Sequence, residues 1–195
     1  MYSFVIPVKF SSNPKSRLSG VMTAPKRLAF MEHCLQNLIQ KISTTYNNPD
    51  IHLIIKGTSN TSFDAKCHFS DLPLNESIKS ITTTTFNKGH RIIILHADLP
   101  SITNEALADM KNLIIQDEVF IYPDQYQQGT NALIYSHGNF EHFVFGESSY
   151  SNFLMLADQL NLKINTVDEP AIAFDLDDEE DFKYLPQNIA NKLLD

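Results

Sequence analysis

The sequence predicts an α/β domain built around a mainly parallel central sheet. Two observations predict it: short continuous apolar runs rich in Val, Ile and Phe, and helical periodicity in the segments between them. A continuous apolar run that ends at Pro, Gly or a polar cluster is the mark of a strand buried on both faces. Strands of that kind alternating with helices favour parallel pairing with helices covering the sheet.

The first run, Ser3–Val8, is the expected first strand. A helix follows from about Ala24 to Ser43, where Leu28, Met31, Leu35, Leu38 and Ile42 recur every three or four residues. Ile51–Lys56 is the second strand, and a further helix begins near Leu74. Arg91–His96 is the third strand. The helix after it spans Thr103–Ile115, with Asn104 as its expected cap and Leu107, Met110 and Leu113 facing inward. Glu118–Tyr122 is the fourth strand. Ala132–Tyr135, Phe143–Phe145 and Leu162–Val167 add further strands, and Ser149–Gln159 reads as helix. A last helix is expected from Asp178 to Leu194. No repeat, low-complexity tract or linker divides the chain, so a single domain over residues 1–195 is expected.

Composition narrows the function. Fifteen Lys and Arg against 23 Asp and Glu give a formal net charge of −8, with no basic run, so no nucleic-acid partner is expected. No apolar run reaches the roughly 18 residues of a membrane span, and the opening MYSFVIPVKF is no secretion signal. A cytoplasmic protein is expected. Cys34 and Cys67 make no CxxC pair, and the histidines show no HxxxH or HExxH spacing. Cys67 and His68 are neighbours in sequence, which is not a catalytic arrangement, and GxSxG and Walker A motifs are absent.

In open α/β sheets ligands bind beyond the carboxyl ends of the strands. The first strand leads into Lys9 and then Lys15, Ser16 and Arg17. Three cations with hydroxyls suit a polyphosphate, though a solvated loop has the same composition. The third strand leads into Ala97-Asp-Leu-Pro100, where Asp98 stands to meet a ligand or to cap the following helix. Gly129-Thr-Asn131 offers close backbone approach and donors for a carboxylate or phosphate, or makes a plain turn. Gly146, Ser148 and Ser149 precede a helix, whose N-terminus attracts anions; serines there are also ordinary caps.

Six of the seven residues from Asp175 to Asp181 are acidic. Asp175 and Asp177 alternate in an extended segment, so both carboxylates leave on one face, as two ligands of one divalent ion must. Asp178 suits the cap of the last helix, and Glu179, Glu180 and Asp181 suit its positive end. No glycine occupies the turn position that an EF-hand loop requires.

The order of these motifs resembles the 2-phospho-L-lactate guanylyltransferase family of deazaflavin coenzyme biosynthesis, with its phosphoenolpyruvate and 3-phosphoglycerate guanylyltransferase relatives. The resemblance rests on Ile6-Pro-Val-Lys9, Lys15-Ser-Arg-Leu18, Arg27, Leu74-Asn75, Ala97-Asp-Leu-Pro100, Gly129-Thr-Asn-Ala-Leu133, Phe145-Gly146, Ser149-Tyr150, Asp175-Leu-Asp177 and Glu180-Asp181. It implies a single-domain nucleotide-diphospho-sugar transferase (GT-A-like) fold. It also implies Mg²⁺-dependent transfer of a guanylyl group from GTP to a small phosphorylated acid. By the same resemblance Asp98, Asp175 and Asp177 hold Mg²⁺. Pro7, Lys9, Lys15, Ser16, Arg17, Arg27, Asn75 and Asp98 meet the nucleotide, with Lys15, Arg17 and Asp98 acting in catalysis. Gly129, Thr130, Asn131, Gly146, Ser148 and Ser149 meet the acceptor. Pro73, Gln128, Tyr150, Phe153 and Asp178 depart from the family pattern, Phe153 in the stretch expected to choose the acceptor. Another transfer on the same fold and a non-catalytic nucleotide-binding homologue are the alternatives; a Gly-rich LAGGxSxRMG-like opening, usual in molybdopterin nucleotidyltransferases, is absent. The sequence allows a homodimer and does not fix the oligomeric state.

Overall fold

Side chains of β1 (Tyr2–Lys9) alternate between two apolar layers, Phe4, Ile6 and Val8 entering one and Val5 the other. The same alternation runs through β2 (Asp50–Lys56), β4 (Arg91–Leu95), β5 (Val119–Pro123) and β6 (Thr130–Ser136). This computed structural model describes residues 2–58, 61–113, 118–138 and 140–185. With β3 (Lys66–Phe69) and β7 (Ile164–Thr166) the strands form one sheet of order β3-β2-β1-β4-β6-β5-β7. β6 runs antiparallel to β4 and β5, and the remaining pairs are parallel.

Helices α1 (Ala24–Thr45) and α3 (Asn104–Leu113) cover one face, and α2 (Leu74–Thr85) and α4 (Ser149–Gln159) the other. In α1, Phe30, Met31, Cys34, Leu35, Leu38, Ile39 and Ile42 bury one stripe, as the spacing predicts. Pro25 lies in its first turn, where a missing N–H breaks no helical bond. In α3 the capping side chain is Thr103, whose Oγ1 accepts from Ala106 N at 3.1 Å; Asn104, the expected cap, is already helical.

Three elements differ from expectation. β3 was not expected, because an edge strand with three of four residues outside the core carries no apolar period. Phe143–Phe145 is not a strand: Phe140, Phe143, Phe145 and Phe153 pack together on the sheet's second face without a ladder. The short α5 (Pro170–Ala173) was not expected, whereas α6 (Glu179–Phe182) is the start of the expected last helix. Residues 114 and 115 of the expected third helix, and 186–194 of the last, lie outside the described residues.

Candidate active site

β1 has β2 on one side and β4 on the other, with α1 and α2 on opposite faces. The crossovers therefore diverge between β1 and β4, which opens a crevice at their carboxyl ends. A cleft of about 590 Å³ lies there, lined by Pro7, Lys9, Lys15 and Ser16 from the first loop and by His96 and Asp98 beyond β4.

The basic loop is shaped from beneath. Leu18 is fully buried in the 3-10 turn Ser16–Leu18. Arg27, 3% exposed on α1, donates from Nε to Pro14 O (2.7 Å), from Nη1 to Met22 O (2.5 Å) and from Nη2 to Asn13 Oδ1. Arg27 is therefore neither a helix-surface ion pair nor shown as a nucleotide contact: it braces the loop that carries the nucleotide candidates. Lys15 sits in the left-handed region (φ 43°, ψ 54°), a conformation costing about 1–2 kcal/mol. Its Nζ lies 2.6 Å from Asp98 Oδ2 and 2.7 Å from Asp177 Oδ1.

These charges set one another. Burial by itself lowers the Lys15 ammonium, but Asp98 and Asp177 outweigh it and hold the pKa above its ordinary value. Burial pushes Asp98 up, and Lys15 reverses that so the carboxyl stays below the usual range. Asp175 makes no such contact with a cation. Burial, then Asp98 and Asp177, push it up to about 7. Burial lowers His96, leaving its ring neutral at pH 7.

The metal candidates are placed by their neighbours. Asn131, 1% exposed, donates its amide to Ile172 O (2.9 Å) and Ala173 O (3.2 Å), fixing the chain just before Asp175. Asp181, 2% exposed, accepts from Gln125 Nε2, Tyr126 OH and Asp177 N, each at 2.9 Å, and from Asp178 N at 3.1 Å. Asp178 caps α6 by accepting from Glu180 N and Asp181 N, as expected. Glu179 reaches back to Gly20 N (3.0 Å), docking the start of α6 on the basic loop.

Other candidates have internal partners. Gly129 N donates to Asp124 Oδ2 (2.7 Å), while Asp124 Oδ1 accepts from Tyr126 N and Gln128 N. Gly129 and Asn131 thus organise the turn with donors already engaged; Thr130 Oγ1 is buried without a partner. Asn75 bonds both ways to the backbone of Phe145, at 3.0 and 2.9 Å, so its amide holds the Phe145-Gly146 loop. Arg17 is exposed and does not line the cleft. Gly146 (φ 128°) and Ser148 (φ 54°) make the turn into α4, and Ser149 is buried. Phe153 is fully buried against Phe145, centroids 5.0 Å apart. Sequence reasoning missed Lys56, Ser70, Leu72 and Ser77, which line the far wall of the cleft with Leu74 of the Leu74-Asn75 motif. No motif marked those four, and Ser70 and Leu72 follow the unexpected β3.

The donor chemistry of Asp98, Asp175 and Asp177 fits a hard divalent cation. Among the described residues no three His, Cys, Asp or Glu side chains already stand at ligating distances. The Lys15 ammonium lies between Asp98 and Asp177, 2.6 and 2.7 Å from one oxygen of each.

A sheet of this order with its cleft at the β1/β4 crevice is the fold of the nucleotide-diphospho-sugar transferases. A protein so described from Desulfovibrio desulfuricans G20 matches with a TM-score of 0.77 at 16% identity, over 97% of this chain and 88% of that one. The chain belongs to the family described as guanylyl transferase CofC like, which matches residues 2–186. It is 29% identical to phosphoenolpyruvate guanylyltransferase of Chloroflexus aggregans, over 92% of this chain and 94% of that one. It is 30% identical to 2-phospho-L-lactate guanylyltransferase of Halorubrum lacusprofundi, over 91% of this chain and 82% of that one.

Proposed function

We propose that the chain moves a guanylyl group from GTP to a phosphorylated three-carbon acid, in the cytoplasm and in deazaflavin coenzyme biosynthesis. The acceptor is phosphoenolpyruvate, 2-phospho-L-lactate or 3-phosphoglycerate. An oxygen of the acceptor phosphate bonds to the α-phosphorus of GTP, the bond from that phosphorus to the bridging oxygen breaks, and pyrophosphate leaves with the electron pair. The observation that carries this reading is Lys15, a buried cation held between Asp98 and Asp177 at the mouth of the cleft.

No side chain has to act as nucleophile. Lys15, Lys9 and Ser16 line the triphosphate end of the cleft, where positive charge stabilises the departing pyrophosphate. Leu72 and Leu74, with Ser70 and Ser77, give the opposite wall the apolar surface and hydroxyls that suit a base. Asp98, Asp175 and Asp177 would hold Mg²⁺, which supplies charge neutralisation between two anionic reactants. Thr130 and the Gly146–Ser149 turn face the acceptor side.

The test is pyrophosphate release from a matrix of nucleotides and the three acids, with MgCl₂ present and with the metal chelated. Release with GTP and one acid, lost on chelation, is expected. No release from any combination would sink the reading.

A further inference from the structure

His96 is the first residue beyond β4, and its place is not accounted for by either reactant. Its backbone N–H donates to Asn131 O (2.9 Å), tying it to the start of β6. Its ring meets that of Phe145, centroids 5.7 Å apart, in the loop that Asn75 holds. The ring also lines the cleft, two residues before Asp98. Among the described residues its ring nitrogens have no hydrogen-bond partner. His96 therefore stands at the seam between the basic loop and the turns of the acceptor side.

The Gly129–Asn131 turn is short of donors. The Gly129 N–H serves Asp124, and the Asn131 amide serves Ile172 and Ala173. Thr130 Oγ1 is one hydroxyl, whereas a phospho-acid brings a carboxylate and a phosphate. An imidazole offers an N–H donor in either tautomer. We infer that His96 recognises the acceptor, its ring N–H donating to a carboxylate or phosphate oxygen of the phospho-acid. The assignment rests on the proposed reaction and adds to it a specificity-determining contact.

His96→Phe keeps an aromatic ring against Phe145 and removes the donor; His96→Asn restores a donor on a shorter stem. A hydrogen bond to a charged group sets the expected loss, so His96→Phe raises the KM for the acceptor at least about tenfold. The KM for GTP stays within about twofold, and His96→Asn recovers part of the loss. Thermal unfolding shows whether both variants are folded, and calorimetric titration of each acid follows binding without turnover. An unchanged acceptor KM in folded His96→Phe, or a change that falls on GTP alone or equally on both, overturns the assignment while leaving the reaction standing. A wild-type protein that turns over none of the three acids removes the reaction and the assignment together.

Discussion

A carboxylate buried among uncharged donors is stable only when its lone pairs are satisfied. Asp181 meets that condition with four donors, two from the turn at Gln125–Tyr126 and two from the backbone beside Asp177. It thereby joins the acceptor-side turn to a metal candidate without touching either reactant. In Asp181→Asn an amide N–H₂ faces donors on one side, leaving at least one buried group unpaired. A loss of about 2–3 kcal/mol is expected in urea unfolding, from unsatisfied polar groups at 1–3 kcal/mol each. Pyrophosphate release is expected to fall about tenfold with it, because a displacement near 1 Å misplaces the reacting groups. Lost stability with unchanged turnover would show that Asp177 keeps its place without Asp181. Sequence alone did not separate Asp181 from its acidic neighbours. Residue type marks an anion, and only the fold decides which of Asp178, Glu179, Glu180 and Asp181 turns inward. Lys15 and Asp98 stood out in the sequence because they follow strand ends, where ligands gather, and Asp177 through its alternation with Asp175.

Strands and helices were legible where burial imposes a period, and illegible where it does not. β1, β2 and β4 are buried on both faces and read as continuous apolar runs. β3, at the sheet edge, has Lys66, Cys67 and Phe69 exposed and gives no such run. Phe143–Phe145 shows the converse error, since aromatic side chains buried from a loop imitate a strand. Helix starts are finer still, and α3 provides a measurable case. Thr103 and Asn104 are both good capping residue types one position apart, and Asn104 was the expected cap. The side chain that accepts the helical N–H is Thr103. Thr103→Ala is therefore expected to cost about 1 kcal/mol in chemical denaturation, and Asn104→Ala a few tenths at most. Equal losses, or the reverse order, would place the cap at Asn104.

Across the whole molecule, the site is assembled from four distant parts of the chain: the loop after β1, the end of β4, the turn before β6 and the segment 174–181. The sequence showed their order, and the sheet order explains their meeting. It did not show that the cation of one part closes on the carboxylates of two others. A divalent ion at the proposed Asp98–Asp177 site would compete with Lys15 for the same oxygens, because the ammonium lies between them. We predict that Lys15 neutralises these carboxylates in the free protein and would turn to phosphate when nucleotide and metal arrive. Lys15→Met keeps the length of the stem and removes the charge. Without its competitor, Mg²⁺ or Mn²⁺ is expected to bind the nucleotide-free variant about tenfold more tightly by calorimetry, a difference of about 1.4 kcal/mol. Pyrophosphate release is expected to fall at least about a hundredfold, because the departing charge loses its partner. Weaker metal binding in the variant would mean that Lys15 organises the carboxylates for the ion rather than standing in its place. Retained turnover would assign the pyrophosphate to Lys9 and Ser16 alone.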